Sequence, residues 1–128
     1  MSEVKVHRGG GKVNQTVEVG VHRLVADEPV TNGGEDTGPA PHDFLAIALG
    51  TCTAITLRMY SQHKQWPLED AEVTVTVSKE SDSTRLNRTI RFVGDLDDAQ
   101  KARLLAVANQ CPVHKTLSGK IEIVTNAL

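Results

Sequence analysis

38-GPAPHDFLAIALGTCTAITLRMYSQHK-64 has the pattern of one long apolar helix with a single cysteine, Cys52, near its middle. Pro41 suits a first helical turn, because its φ is already helical and its missing N–H has no partner to lose there. Beyond Pro41 the apolar residues recur at helical spacing; they are Leu45, Ala48, Leu49, Cys52, Ile55 and Met59. The segment therefore predicts a central core helix that buries Cys52.

The composition indicates a small core that needs a partner. A chain of 128 residues fits one domain, 1–128, yet it has only two Phe, one Tyr and one Trp. Gly50 lies in the middle of the predicted helix, where glycine costs about 1 kcal/mol relative to alanine, and it indicates that another backbone passes close by. We therefore expect a second copy of the chain to complete the core.

Charge and hydropathy argue against two classes of partner. The net charge is −2 and no basic cluster is present to neutralise phosphates, so we expect no nucleic-acid binding. The start, MSEVKVHRGGG, has no apolar secretion segment, and no window reaches the roughly 20 apolar residues expected of a membrane span. We therefore expect a cytoplasmic protein without a membrane partner, in a compartment where thiols stay reduced.

Around the central helix the chain predicts an α+β domain. Its segments are the strands and loop of 1–37, the central helix of 38–65, a hairpin over 71–94, helices with Cys111 over 97–119, and a final strand over 120–126. The first strands are expected to form a hairpin or a three-stranded meander. In the later hairpin Arg88 is the exception on a face otherwise formed by Leu86, Ile90 and Phe92.

The second cysteine also faces the predicted core. Asp97 and Gln100 have the spacing of a capping box at the start of a helix. Apolar residues then recur at i, i+3, i+4 and i+7; they are Leu104, Val107, Ala108 and Cys111. Pro112 interrupts that helix and suits the first position of a short last one. Cys111 is therefore expected to lie inward where the two helices join.

Two cysteines on inward helical faces indicate a redox pair. A lone buried cysteine is more often an inert packing residue, but a pair that meets in a reducing compartment is more often redox-active than structural. Zinc is the competing use, since Cys111 and His114 have a Cys-x-x-His spacing, but only Cys52 and His42 remain as further ligands. We therefore expect neither a metal nor a cofactor.

A thiolate nucleophile at Cys52 needs a positive partner from elsewhere in the fold. The arginines available are Arg8, Arg23, Arg58, Arg85, Arg88, Arg91 and Arg103. A carboxylate must also hold that arginine in place, and Asp43 is one candidate. An acid in the first turn of a helix is favourable without any catalysis, so both interpretations of Asp43 stay open.

Four segments of the sequence resemble a known protein family. The segments that carry the resemblance are 38-GPAPHDFLAIALGTCTAITLRMY-60, 22-HRLVADEP-29, 33-GGEDTGP-39 and 111-CPVHKTLSG-119. They look like the OsmC/Ohr family of cysteine-based hydroperoxide reductases, in its OsmC-like branch. The resemblance implies an α+β fold with antiparallel sheets packed against two long central helices, in an intertwined homodimer with its active sites at the subunit interface.

The resemblance also implies a peroxidase cycle. Cys52 matches the peroxidatic cysteine, which is oxidised by an organic hydroperoxide to sulfenic acid, and Cys111 matches the resolving cysteine, which forms a disulfide with it. A dithiol reductant then restores both thiols, whether a lipoylated protein, thioredoxin or a small thiol. The apolar residues around the thiol favour an organic hydroperoxide over hydrogen peroxide.

In this family an arginine stabilises the thiolate and a glutamate fixes the arginine. Asp43 stands at the position of the glutamate, one methylene shorter, and His42 is the alternative equivalent. The resemblance places the arginine in the N-terminal sheet, where Arg23 in the HRLVADEP motif is favoured over Arg8 beside the glycine turn.

Two other functions fit the same residues. One is a non-catalytic dimeric module that binds an apolar ligand and uses its cysteines for packing. The other is a slow thiol redox sensor, which shares the disulfide chemistry and differs in rate.

Overall fold

The computed structural model describes residues 2–128, and the chain divides into two compact units, Met1–Leu45 and Ala46–Leu128. In order, the elements are β1 (Val4–Arg8), β2 (Gln15–Val19), β3 (His22–Ala26), a 3-10 turn (Val30–Asn32), α1 (Pro41–Lys64), β4 (Leu68–Lys79), β5 (Thr84–Gly94), α2 (Asp98–Ala108) and α3 (Pro112–Ser118). The fold is α+β with antiparallel sheets, as the sequence predicts. That residues 1–128 form a single domain stays a prediction.

The first unit is a three-stranded antiparallel meander, β1-β2-β3, followed by a loop. Gly20 turns β2 into β3 with a φ of 58°, a left-handed conformation that glycine adopts without strain. The loop after β3 is fixed by hydrogen bonds to the buried Asp27 carboxylate from the backbones of Glu28, Glu35 and Thr37. This loop leads the chain into α1.

Helix α1 buries a different face from the one predicted. Its buried residues are Leu49, Thr53, Leu57 and Ser61, at a spacing of four, whereas Ile55 is 58% exposed and Met59 is 64% exposed. The prediction was wrong because it selected the face from apolar residues alone and left out Thr53, which is buried. Thr53 Oγ1 lies 2.6 Å from the carbonyl oxygen of Leu49 and donates to it, so the hydroxyl is satisfied inside the protein. Several apolar side chains of α1 are consequently uncovered in the single chain.

By length and composition, α1 also qualifies as a candidate membrane span. It has 24 residues, with a window of mean hydropathy 1.3 that is only 22% buried. The expectation that the chain has no membrane span stays a prediction. One such helix is weak evidence for a membrane, because the core helix of a soluble protein has the same properties.

The second unit contains the hydrophobic core. Strands β4 and β5 form an antiparallel hairpin in which Val73 pairs with Ile90 and Val75 with Arg88. The hairpin packs with α1 and α2 around a buried cluster, whose members are Leu57, Ala71, Leu96, Leu104, Val107 and Ala108. The predicted inward residues of α2 are confirmed, because Leu104, Val107, Ala108 and Cys111 are all buried.

The start of α2 has the predicted capping box. The Asp97 side chain accepts from the backbone N–H of Gln100, and the Gln100 side chain accepts from the backbone N–H of Asp97. Pro112 is the first residue of α3, as predicted. Cys111 lies between the two helices as the N-cap of α3.

Two expectations about the chain's contacts are not met within one copy. Residues 120–128 contain neither helix nor strand, so the strand predicted over 120–126 is absent from the single chain. A strand needs the edge of another strand for its hydrogen bonds, and this segment leaves Ile123 84% exposed. At Gly50, a Cβ would meet only Val75 Cγ2 at 3.6 Å, an ordinary contact, so within residues 2–128 the expected close approach of another backbone is not found.

Candidate active site

The two thiols lie together at the beginning of α3. Cys52 is on α1 and Cys111 caps α3, and both are free. The backbone nitrogen of Val113 donates to Cys52 Sγ at 3.5 Å, and that of His114 donates to Cys111 Sγ at 3.4 Å. Consecutive amides of one short helix therefore hold both sulfurs. The structure brings together the two cysteines that the sequence selects.

The two thiols differ in exposure. Cys111 is 0% exposed, whereas Cys52 is only partly buried in the single chain. Thr53 lies beside them, with its Oγ1 atom 3.9 Å from Cys111 Sγ. An incoming molecule can therefore reach Cys52 more easily than Cys111.

One arginine joins this cluster from the hairpin, and it is Arg88 on β5. Its Nη1 atom lies 3.0 Å from Thr53 Oγ1 and 4.0 Å from Cys111 Sγ. Its Nη2 atom lies 2.9 Å from Asn109 Oδ1 and 3.0 Å from His114 Nδ1. Sequence reasoning counted Arg88 among the arginines but did not select it. The available signal was its place on the otherwise apolar face of β5.

The surroundings of Cys111 favour its thiolate. Burial raises the pKa of the thiol, but hydrogen bonds from the His114 amide, Thr53 and Cys52, together with the charge of Arg88, outweigh burial and leave the pKa below its ordinary value. The second unit thus contains one thiol that is both shielded from solvent and biased toward the thiolate.

The other residues predicted for the site lie in the first unit. Asp43 Oδ2 accepts a hydrogen bond from the backbone nitrogen of Ala40 at 2.9 Å, which caps the start of α1, and the neighbouring His42 is exposed. Arg23 on β3 donates to Glu18 Oε1 at 2.9 Å, and Arg8 is exposed at the end of β1. The structure documents a helix-capping role for Asp43 and an ion pair for Arg23. Their roles at the thiols stay predictions.

Arg88 and His114 also line a cavity. It has a volume of about 220 Å³ and is lined by Leu49, Thr84, Leu86, Arg88, His114, Leu117 and Ser118. Three of these residues are leucines, and the other four are polar or charged. The cavity can take a small apolar group beside a polar one. Among residues 2–128, no group of three or more His, Cys, Asp or Glu side chains is arranged to hold a metal ion.

The chain is similar to known proteins over most of its length. The family described as OsmC-like protein matches residues 33–126. An OsmC like protein from Mycoplasma pneumoniae has a TM-score of 0.79 at 17% identity, over 93% of this chain and 88% of that one. An organic hydroperoxide resistance protein OsmC from Legionella pneumophila has a TM-score of 0.69 at 24% identity, over 93% and 90% of the two chains.

A third similar structure is the organic hydroperoxide resistance protein OhrB of Bacillus subtilis. Its TM-score is 0.65 at 22% identity, over 93% of this chain and 91% of that one. At these identities the likeness of the solved structures establishes the fold alone. None of the curated proteins matches this chain.

Proposed function

Because the chain belongs to the family of OsmC-like proteins, we propose that it is a thiol-dependent peroxidase that reduces organic hydroperoxides to alcohols. The observation that carries the proposal is the meeting of two free thiols, Cys52 and Cys111, at consecutive amides of α3. Two similar structures are named organic hydroperoxide resistance proteins, which supports the same chemistry.

In the proposed first step, the Cys52 thiolate attacks the distal oxygen of the hydroperoxide. The sulfur–oxygen bond forms as the oxygen–oxygen bond breaks, and the leaving alkoxide takes a proton to become the alcohol. Cys52 then carries a sulfenic acid. This role falls to Cys52 because it is the partly exposed thiol of the pair, whereas Cys111 is buried.

The second step forms the disulfide. The Cys111 thiolate attacks the sulfur of the Cys52 sulfenic acid, and hydroxide leaves and becomes water on taking a proton. A dithiol reductant then supplies two electrons, restores both thiols and is itself oxidised to a disulfide. The proposed reductants are a lipoylated protein, thioredoxin or a small thiol.

The N-terminal residues have proposed supporting roles in the first step. Arg23, or Arg8, stabilises the Cys52 thiolate, and Asp43, or His42, holds that arginine. The only support for these roles is the family resemblance, since Arg23 pairs with Glu18 and Asp43 caps α1 in the single chain.

We further propose that the protein acts in the cytoplasm as a homodimer. Apolar residues uncovered in one copy support the dimer, and they include Ile55 and Met59 of α1 and Ile123 of the C-terminal segment. The free state of both cysteines fits a reducing compartment.

Steady-state turnover tests the proposal. With a dithiol reductant in excess, we expect faster consumption of cumene hydroperoxide than of hydrogen peroxide, because the apolar residues of α1 near Cys52 favour an organic group. Cys52→Ser should abolish turnover. Disulfide formation without repeated turnover would indicate the slow redox sensor instead, and full function in Cys52→Ser would indicate the binding module.

A further inference from the structure

Arg88 is the charged member of an otherwise apolar strand face. It lies between Leu86 and Ile90 on the half-buried face of β5 and pairs in register with Val75 of β4. A guanidinium at such a position needs hydrogen-bond acceptors and a counter-charge. The acceptors are present, and they surround Cys111.

Apart from Cys111, the acceptors of Arg88 are neutral. They are the Thr53 hydroxyl, the Asn109 side-chain amide and the ring of His114. A guanidinium only donates, so His114 Nδ1 must accept, which requires the neutral ring with its proton on Nε2. No contact in this set supplies a negative charge.

Other arginines of the chain do have a counter-charge. Arg23, Arg85 and Arg91 each lie within ion-pair distance of a glutamate. Within residues 2–128, no carboxylate forms a salt bridge with Arg88. Of the groups that Arg88 contacts, only Cys111 can become an anion, and its Sγ atom lies 4.0 Å from Nη1.

The guanidinium of Arg88 also holds the segment around Cys111 in position. Asn109 precedes Cys111 at the end of α2, and His114 follows it in α3, so one guanidinium binds both sides of the junction. The charge is thus aimed at the sulfur by contacts on either side of it. Planar double contacts of this kind are specific to arginine.

From this geometry we propose that Arg88 is a positioning residue that holds Cys111 as a thiolate, both when it attacks oxidised Cys52 and when it departs from the disulfide. This inference rests on the proposed function and adds a residue to the steps in which the disulfide forms and is reduced. It assigns Arg88 to Cys111 and leaves the activation of Cys52 to the N-terminal arginines.

In the resolving step, the Arg88-paired Cys111 thiolate attacks the sulfur of the Cys52 sulfenic acid. The sulfur–sulfur bond forms, the sulfur–oxygen bond breaks, and hydroxide leaves as water with one proton. The reaction needs no deprotonation of Cys111 at the moment of attack, because the thiolate is already present.

In the reductive step, the same pairing decides which sulfur leaves. The thiolate of a dithiol attacks Cys52, the accessible sulfur, and Cys111 departs with the bonding electron pair as a thiolate beside Arg88. The second thiol of the reductant then attacks the mixed disulfide and releases Cys52. The mixed disulfide therefore forms on Cys52 and not on Cys111.

The first test measures the Cys111 thiolate directly. In a Cys52→Ser background Cys111 is the only cysteine, so thiolate ultraviolet absorbance against pH reports its titration. The titratable or charged groups at Cys111 are Cys52 of α1, Arg88 of β5 and His114 of α3. We expect Arg88→Gln to raise the pKa of Cys111 and so to lower its thiolate fraction at neutral pH, because the variant removes a charge that favours the thiolate.

Arg91→Gln is the matched control, because Arg91 lies on the same strand and pairs with Glu72 instead. Arg88→Lys keeps the charge without the fork and should restore part of the thiolate. If Arg88→Gln does not fold, Asn109→Ala releases one arm of the guanidinium and should shift the titration in the same direction. An identical Cys111 titration in the folded Arg88 or Asn109 variant and in the control overturns the inference.

The second test uses protein with both cysteines and separates the oxidation of Cys52 from the formation of the disulfide. After addition of cumene hydroperoxide, a sulfenate-trapping reagent should label Arg88→Gln at least tenfold more than wild type, because resolution is slowed while Cys52 oxidation is unchanged. Loss of sulfenate formation in Arg88→Gln would instead assign Arg88 to Cys52 and overturn the inference.

The proposed function and the proposed role of Arg88 can be disproved independently of each other. If wild-type protein does not react with hydroperoxide, the proposed function is wrong, yet the thiolate titration still decides whether Arg88 governs Cys111. If the titrations coincide while hydroperoxide is consumed, the proposed function stands and Arg88 has no role at the thiol.

Discussion

Asp27 organises the loop before α1 through a single carboxylate. Its oxygens accept hydrogen bonds from the Thr37 hydroxyl at 2.6 Å, the Thr37 amide at 3.0 Å and the Glu28 amide at 2.8 Å. The Thr37 contacts, led by its hydroxyl, lower the pKa of Asp27 from 3.8 to about 2. The loop therefore depends on the ionised form of this residue.

The unfolding free energy of the protein should depend on pH because of this lowered pKa. The folded pKa lies below the unfolded one, so the contribution of Asp27 is complete above pH 3.8 and is lost as the pH falls toward 2. We expect Asp27→Asn to lower the unfolding free energy at neutral pH and to flatten its fall over this acidic range, measured by urea denaturation. Asp36→Asn, at an exposed carboxylate in the same loop, should leave that fall unchanged.

Individual residues also mark the limit of what the sequence could predict. Cys52 and Cys111 were selected from spacing, and the structure brings them together. Arg88 was not selected, because its position beside Cys111 depends on packing of the hairpin against the junction of α2 and α3. Thr53 was not selected as a buried residue, because residue type alone does not reveal that its hydroxyl will donate to the carbonyl oxygen of Leu49.

At the scale of an element, α2 depends on the capping box at its start. The Asp97 side chain lies 2.7 Å from the amide nitrogen of Gln100 and satisfies a donor that the helix leaves free. We expect Asp97→Ala to lower the unfolding free energy by about 1 kcal/mol in urea denaturation. Asp98→Ala, which removes only a charge from the first turn, should cost less; an equal or larger loss would contradict the capping argument.

The elements were predictable to different degrees. Capping and proline signals are local, so the bounds of α1 and the starts of α2 and α3 could be predicted from the sequence. The buried face of α1 could not, because α1 is apolar over much of its circumference and packing selects which side is covered. The strand expected over 120–126 has the right alternation but lacks a neighbouring edge in the single chain.

At the scale of the whole molecule, the uncovered apolar residues predict a homodimer. Light scattering should give a mass twice the 13.8 kDa of one chain. Ile123→Glu should weaken the dimer, because it places a charge on the exposed apolar segment that the second copy is proposed to cover. Val21→Glu is the control, since Val21 is 97% exposed in the turn after β2. A monomeric wild-type protein would contradict the proposal.

The central proposal is that Cys52 and Cys111 together reduce an organic hydroperoxide. The most direct measurement adds one equivalent of cumene hydroperoxide to the reduced protein, then counts free thiols and records the intact mass. We expect both thiols to disappear together, with a mass loss of about two hydrogens as the disulfide forms, and we expect Cys52→Ser not to respond. Survival of both thiols in excess hydroperoxide would contradict the proposed function.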